Sequence, residues 1–304
     1  MSSGAKPQPS VADVVGSTLA NMGVSDAFGV LGSGNLIVTN ALCSRGARFH
    51  HARHEGGAIC MADGYARVTN TIGVCSVHQG PGLTNTLTGL TEAAKSRTPL
   101  LVLAGETPAA ALTSNFRIDQ HDLVESVGAI ADRVHGPKTA TDDAQRAYQR
   151  ARTERRPVAL MLPIDIQPQP AAQISPSQPP VPRIPSTEPS PDAIRKAADL
   201  LARAQMPAII AGRGAVLAEA GTALEALAEN TGAVLATSAP ANGLFRRPAL
   251  SAGDQWRVRV AFRRRAPPPG RRRARVRRVC QPLDDEARRA HRPQREGHTG
   301  RHRG

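Results

Sequence analysis

The order of apolar and polar positions predicts alternating helices and short strands from Val11 onward. Val11, Val14, Val15, Leu19 and Met22 recur at helical spacing. Ser10 with Asp13 forms a capping box ahead of them, and Gly23 stands where a glycine ends such a helix. A short apolar run at 27–31 predicts a strand, and the Gly32-Ser33-Gly34-Asn35 turn leads to a second helix ending near Cys43. A strand at 49–52, a helix from Glu55 to about Val68 and a β-rich run at 72–77 follow. After Gln79-Gly80-Pro81-Gly82 the pattern predicts one helix from Leu83 to Lys95, then a strand at 99–104. Helices over 123–130 and 141–153 precede a strand at 158–162. Short apolar strands alternating with helices suit a parallel sheet with helices on both faces, an α/β fold.

Nine prolines lie between Gln167 and Pro191, set among Ser, Gln and Thr, and predict a semi-extended linker. Beyond it the alternation restarts with a helix at 191–204, a strand at 208–211, Gly212-Arg213-Gly214, a helix at 218–230 and a strand at 233–237. After about Ser251 the periodicity stops, and Arg, Pro, Ala and Gly take over. No apolar run approaches the ~18 residues of a membrane span. The leader MSSGAKPQPS has no apolar stretch, so a soluble, cytoplasmic protein is expected.

Charge changes this picture only at the C-terminal end. The net charge of +14 over 304 residues looks like a nucleic-acid signature. However, residues 255–304 hold 17 Arg, no Lys and four acids, a net of +13, while residues 1–254 are nearly neutral. The basicity therefore says nothing about the domain that precedes it. Four cysteines, Cys43, Cys60, Cys75 and Cys280, form no CxxC pair. The first three sit among apolar residues, which predicts buried free thiols rather than a disulfide framework or metal site.

The candidate chemistry sits in Arg53-His54-Glu55-Gly56-Gly57-Ala58, followed by Asp63-Gly64-Tyr65-Ala66-Arg67. Read alone, Glu55 is an acid in the first turn of a helix, favoured there by the dipole. With its neighbours it resembles the RHE-x-x-A…GYAR signature of the thiamine-diphosphate-dependent, acetolactate synthase-like enzymes. Gly80-Pro81-Gly82-Leu83-Thr84-Asn85, Pro99 to Gly105 and Arg156-Pro157-Val158 follow in the family's order, so the resemblance runs from about Val11 to Phe245.

The resemblance implies a pyrimidine-binding domain for thiamine diphosphate at 11–166. In it Glu55 is the catalytic carboxylate, hydrogen-bonded to N1′ of the aminopyrimidine within a low-dielectric slot. Gly80, Pro81, Gly82 and Asn85 would bind the cofactor, the glycines by letting backbone approach the ring; an ordinary strand-to-helix turn is the alternative. Gly32, Ser33 and Gly34 correspond to the loop near the substrate. Gln120 stands near the family's Phe-Gln stretch, and His54, His78 and His121 are candidates to tune the pocket. The implied substrate is a 2-oxo acid, decarboxylated and in some relatives ligated to a second carbonyl compound. Flavin is not expected at Gly212-Arg213-Gly214, because a third glycine and a placed acid are missing.

Family members hold the diphosphate through magnesium on a Gly-Asp-Gly…Asn motif in a C-terminal domain, and Gly253-Asp254-Gln255 departs from it at the third residue. The expected organisation is a disordered leader at 1–10, the pyrimidine domain at 11–166, the linker at 167–190, a truncated central α/β domain at 191–250 and a disordered Arg-rich tail at 251–304. The tail reads as an out-of-frame product or, alternatively, as a segment binding nucleic acid nonspecifically. No metal ligands are assigned within the chain. A homodimer or a separate diphosphate-domain subunit would complete the site, and the chain alone would turn over little or nothing.

Overall fold

The computed structural model describes residues 8–171 and 188–245, together with the backbone of 259–261. The leader up to residue 7, most of the Pro-rich linker and nearly all of the Arg-rich tail lie outside the described residues. The chain divides into two units, one on each side of the 186/187 boundary.

In the first unit, six parallel strands are β1 (Asp26–Gly29), β2 (Arg48–His51), β3 (Gly73–Val77), β4 (Leu100–Glu106), β5 (Ile130–Arg133) and β6 (Val158–Pro163). Their order across the sheet is β2-β1-β3-β4-β6-β5. The helices are α1 (Val11–Asn21), α2 (Leu36–Cys43), α3 (Glu55–Thr69), α4 (Pro81–Thr84), α5 (Leu87–Lys95), α6 (Gln120–Ser126) and α7 (Ala140–Glu154). Alternate strand residues serve opposite cores. Val74, Leu101, Leu103, Leu160 and Leu162 pack under α1, α2 and α7 with Val15, Leu19, Leu42 and Ala144. Cys75, Val77, Val102, Ala104 and Met161 pack under α3, α5 and α6 with Ile59, Ala62, Leu90 and Val124. Burial on both faces is why these strands are continuously apolar rather than alternating.

The expected elements appear with three differences. The helix expected at 83–95 starts earlier, with Pro81 at its first position, and is broken into α4 and α5. At the break the Thr86 hydroxyl donates to the Leu83 carbonyl at 2.7 Å. The helix expected at 123–130 ends at Ser126. Gly128, at φ 85°, turns the chain into β5, an edge strand that the sequence pattern had hidden. The buried-thiol expectation fails at Cys60, which is exposed, whereas Cys75 is buried and Cys43 is partly so. Cys60 lies two residues from Ala58 and one from Ile59, whose side chains define the buried face of α3, so it projects from the other face. Cys280 lies outside the described residues.

The capping box is present as expected. Ser10 Oγ accepts from the Asp13 amide at 3.2 Å, and the Ser10 amide donates to the Asp13 carboxylate at 2.9 Å. Residues following β6 stay with this unit: the Val11 amide donates to the Gln169 carbonyl at 2.9 Å, and Gln167 is buried.

The second unit contains α8 (Pro191–Arg203), β7 (Ala208–Ala211), α9 (Arg213–Leu217), α10 (Gly221–Thr231), β8 (Val234–Thr237) and β9 (Arg259–Ala261). β7 and β8 are parallel, and β9 adds to β8 antiparallel. β9 falls inside the stretch that the sequence pattern assigned to a structureless tail. The helix expected at 218–230 begins at Gly221, preceded by the short α9. No helix among the described residues is long and apolar enough to cross a membrane.

Candidate functional site

In open parallel sheets, ligands bind outside the carboxyl ends of the strands, where the strand order reverses. Here β1 is followed by β2 on one side, whereas β3 is followed by β4 on the other. The crevice between the C-terminal ends of β1 and β3 is that switch point. The loops reaching it are Gly32-Ser33-Gly34-Asn35 after β1 and His78-Gln79-Gly80-Pro81-Gly82 after β3. The start of α3, with Glu55, faces the second of these loops.

Glu55 is the first residue of α3, and His54 is its N-cap, with Nδ1 accepting from the Gly56 amide at 3.0 Å. The cap fixes the helix start and so the position of the carboxylate. Asn85 Nδ2 donates to Glu55 Oε2 at 2.9 Å. Among the described residues Oε1 has no hydrogen-bond partner. A Cβ added at Gly82 would sit 3.6 Å from that oxygen and 3.0 Å from His78 Cβ, so the glycine keeps the space beside the carboxylate open. Gly80 has φ 62°, and a Cβ there would meet the Phe116 carbonyl oxygen at 2.5 Å; only glycine suits this position. Pro81 opens α4 directly after it. Four of the expected cofactor residues, Glu55, Gly80, Gly82 and Asn85, are thus gathered around one opening. Glu55 is half-buried within this chain, not enclosed in a low-dielectric slot.

Gly32, Ser33 and Gly34, expected near the substrate, lie across the crevice in the loop after β1. The Gly32 amide donates to Asn35 Oδ1 at 2.8 Å, and Asn35 Nδ2 donates to Ser76 Oγ at 2.9 Å. Thr39 joins the same buried network through Ser76 at 2.7 Å. Ser33 is exposed, with Oγ 3.2 Å from His78 Nε2. The Gly34 carbonyl accepts from Gln167 Nε2 at 2.8 Å. Gln120 is buried and bridges two strand ends: its Oε1 accepts from the Gly80 amide at 2.8 Å and its Nε2 donates to the Gly105 carbonyl at 3.0 Å. Its amide therefore holds the loop after β3 in place. Gln79 and Gln167, both buried, were missed by sequence reasoning. Gln79 Oε1 has no partner among the described residues. Only its place immediately before Gly80 could have drawn attention to it.

The three histidines separate by geometry. His54 caps α3. His121 is exposed and pairs with Asp122 and Glu125 at 3.3 and 3.8 Å. His78 alone stands in the crevice. The second half of the RHE…GYAR signature is structural. The Tyr65 hydroxyl donates to Asp26 at 3.2 Å, and Arg67 pairs with Asp63 within α3 at 2.8 Å and ties α3 to α5 through Glu92 at 3.1 Å.

A cavity of about 750 Å³ lies away from Glu55. It opens over the ends of β4, β5 and β6 and is lined by Glu106, Arg117, Asp119, Gln120, Arg133 and Asp165, among others. Glu106 is paired with Arg133 through Oε1, and its Oε2 is buried without a partner among the described residues. Burial pushes the Glu106 carboxyl above its usual range; Arg133 opposes this, and Asp165 and Asp119 add to it. Among the described residues no group of three His, Cys, Asp or Glu side chains could hold a metal ion.

A parallel α/β domain with a carboxylate and a glycine-lined turn facing a switch-point crevice defines a ligand-binding domain of the nucleotide- and cofactor-binding kind. Residues 9–126 match the thiamine pyrophosphate enzyme N-terminal TPP binding domain, and residues 194–254 match the thiamine pyrophosphate enzyme central domain. The chain belongs to the thiamine pyrophosphate (thiamine diphosphate) enzyme family. It is 38% identical over 236 residues to the "Probable 2-ketoarginine decarboxylase" of Pseudomonas aeruginosa, a match covering 75% of this chain and 41% of that protein. It is 32% identical over 230 residues to the sulfoacetaldehyde acetyltransferase of Castellaniella defragrans, covering 75% and 38%. It is 30% identical over 244 residues to the "Probable acetolactate synthase large subunit" of Methanocaldococcus jannaschii, covering 77% and 41%. The chain thus spans about two-fifths of the length of the curated relatives it matches.

Proposed function

We propose that this chain supplies the pyrimidine side of a thiamine-diphosphate site acting on 2-oxo acids, with Glu55 as its catalytic carboxylate. The observation that carries the reading is the division of labour at Glu55, where Oε2 is held by Asn85 and Oε1 is left open beside Gly82. A carboxylate fixed through one oxygen presents the other in a set direction, which is what a hydrogen bond to a ring nitrogen requires. Gly80 and Gly82 leave room for a flat ring, and Pro81 and Gln120 stiffen the loop that carries them. The bound cofactor supplies a nucleophilic carbon and an electron sink for loss of carbon dioxide. Glu55 holds and returns the proton shared with the ring nitrogen.

On this reading the magnesium and diphosphate are held outside the described residues, and Glu55 becomes enclosed only when a second protein surface covers it. That surface is a second copy of the chain or a subunit carrying a diphosphate domain. The described residues alone give weak cofactor binding and little or no turnover. Titration calorimetry of the full chain with thiamine diphosphate and magnesium tests the reading. Glu55→Gln is expected to weaken binding about tenfold or more, the equivalent of roughly 1.4 kcal/mol, while leaving the circular dichroism spectrum unchanged. Equal affinity in the two proteins rejects the reading.

Within this class, the cavity over β4, β5 and β6 favours a 2-oxo acid bearing a cationic side chain, as in the relative named for 2-ketoarginine. Three carboxylates, Glu106, Asp119 and Asp165, line it against two guanidinium groups, Arg117 and Arg133, which leaves one negative charge in excess, and Glu106 Oε2 is buried without a partner among the described residues. If 2-ketoarginine and 2-oxoisovalerate compete equally at the site, the side-chain assignment is rejected and the rest of the reading stands.

A further inference from the structure

We propose that the Arg133 side chain is an internal stand-in for a guanidinium ligand, pairing with Glu106 in the ligand-free chain and giving way when such a group enters the cavity over β4, β5 and β6. The inference rests on the assignment of this cavity to a cationic side chain given above. It adds the chemical group and the device by which the chain holds the place.

Glu106 is the last residue of β4 and Arg133 the last of the edge strand β5. β6 lies between them, so Arg133 reaches over the end of that strand to pair with Glu106 Oε1. Both residues line the cavity. The two partners are unequally covered, with the Glu106 side chain 12% exposed and that of Arg133 48% exposed. A covered carboxylate stripped of its cation is an uncompensated buried charge. The guanidinium has no such need, because from an edge strand it can turn back to water. Asp132 beside it is already taken by Arg146 at 2.7 and 3.1 Å. Asp165, on the wall of the same cavity, is left to balance the displaced Arg133.

The place on Glu106 is not filled by its present occupant. Glu106 Oε2 and Thr107 Oγ1, on consecutive residues lining the cavity, are both buried without a partner among the described residues. Buried acceptors left unmade are costly. A guanidinium carries five N–H donors in one plane, and Arg133 spends one nitrogen on Oε1 alone. A ligand guanidinium that takes over the carboxylate can answer both oxygens and the hydroxyl. The exchange conserves charge at Glu106, since one guanidinium replaces another. An ammonium is a compact, strongly hydrated charge, whereas a guanidinium is weakly hydrated, so the covered carboxylate selects the guanidinium.

Titration calorimetry of the full chain with butylguanidinium, and with butylammonium as the control, tests the exchange. We expect butylguanidinium to bind several-fold more tightly than butylammonium. Arg133→Ala is expected to tighten butylguanidinium binding several-fold by removing the internal competitor, and Glu106→Gln to weaken it. An Arg133 that merely supports the cavity wall gives the opposite sign, because its loss loosens the site. If Arg133→Ala fails to fold, Thr107→Val, which keeps the shape and loses the hydroxyl, carries the test and is expected to weaken binding several-fold. Affinity unchanged or reduced in Arg133→Ala, unchanged in Thr107→Val, or equal for the two probes overturns the proposal. With thiamine diphosphate and magnesium present, 5-guanidino-2-oxopentanoate is expected to bind more tightly than butylguanidinium. Equal affinities there leave the exchange at Glu106 standing and reject the reading of the cavity as part of the 2-oxo acid site, so the two failures are distinguishable.

Discussion

Gly80 shows most directly how a single residue shapes the crevice. Its φ of 62° is a conformation that side-chain-bearing residues rarely adopt, and the space a Cβ would need holds the Phe116 carbonyl 2.5 Å away. Gly80→Ala is therefore expected to destabilise the folded chain by about 1–3 kcal/mol, read as a lower urea midpoint with unchanged slope. The cysteines give a second prediction at this scale. Burial pushes the Cys75 thiol well above its ordinary range, whereas Cys60 is exposed. Under native conditions Cys60 is expected to react with a thiol reagent, and Cys75 only after unfolding. Mapping the labelled peptides checks both. Glu55 could be singled out in the sequence because its neighbours form a signature. The Ser33–His78 pair could not, because 45 residues separate the partners and each has a bland reading alone.

Among the elements, β1, β2 and α3 are joined by one carboxylate at the end of the sheet opposite the crevice. Asp26 opens β1 and is buried. It accepts from Arg48 at 3.1 Å, from the Tyr65 hydroxyl of α3 at 3.2 Å and from Ser25 at 2.8 Å, and it lies 2.8 Å from His50 Nε2. Burial alone would raise its pKa, but the hydrogen bonds from His50, Arg48, Ser25 and Tyr65 outweigh it and hold the carboxyl well below the ordinary value of 3.8. A depressed folded-state value means that the stabilisation is complete above the ordinary carboxylate range. It is lost as the pH falls below that range, where the unfolded chain binds the proton more readily. Asp26→Asn is expected to lower stability at pH 7 by about 1–3 kcal/mol and to flatten the loss of stability below pH ~4. Urea unfolding of both proteins from pH 7 to pH 2 checks this, and a constant gap between the two curves would reject it. The helices of this unit were legible because one face of each is apolar at helical spacing. β5 was not, because it is an edge strand of four residues that include Asp132 and Arg133, and nothing in such a run alternates. The α4–α5 break was hidden because it depends on where the Thr86 hydroxyl turns.

At the scale of the whole molecule the two units differ in how much they bury. The first has two apolar clusters, one on each face of a six-stranded sheet. Among the described residues the second has one small cluster, Ala228, Ala233 and Leu235, joined by Ile209 and Phe245. Its α8 buries none of its residues among those described; Ile194 and Leu200 are 54% and 73% exposed. The sequence announced α8 clearly, since its cap and periodicity are local, but whether a partner surface covers its apolar stripe is a non-local fact that no periodicity encodes. Apolar burial is the main favourable term in folding, so the second unit should open at much lower free energy than the first. Limited proteolysis of the full chain is therefore expected to cut between residues 171 and 188 and within the second unit, leaving a resistant fragment that contains 8–171. The first unit keeps its hold on residues 167–171 through the Val11–Gln169 bond and buried Gln167, so trimming should stop there and not at the end of β6. The fragment, identified by mass, should retain the native circular dichroism of the α/β sheet. Survival of the second unit as long as the first would mean that the stripe on α8 is covered in solution.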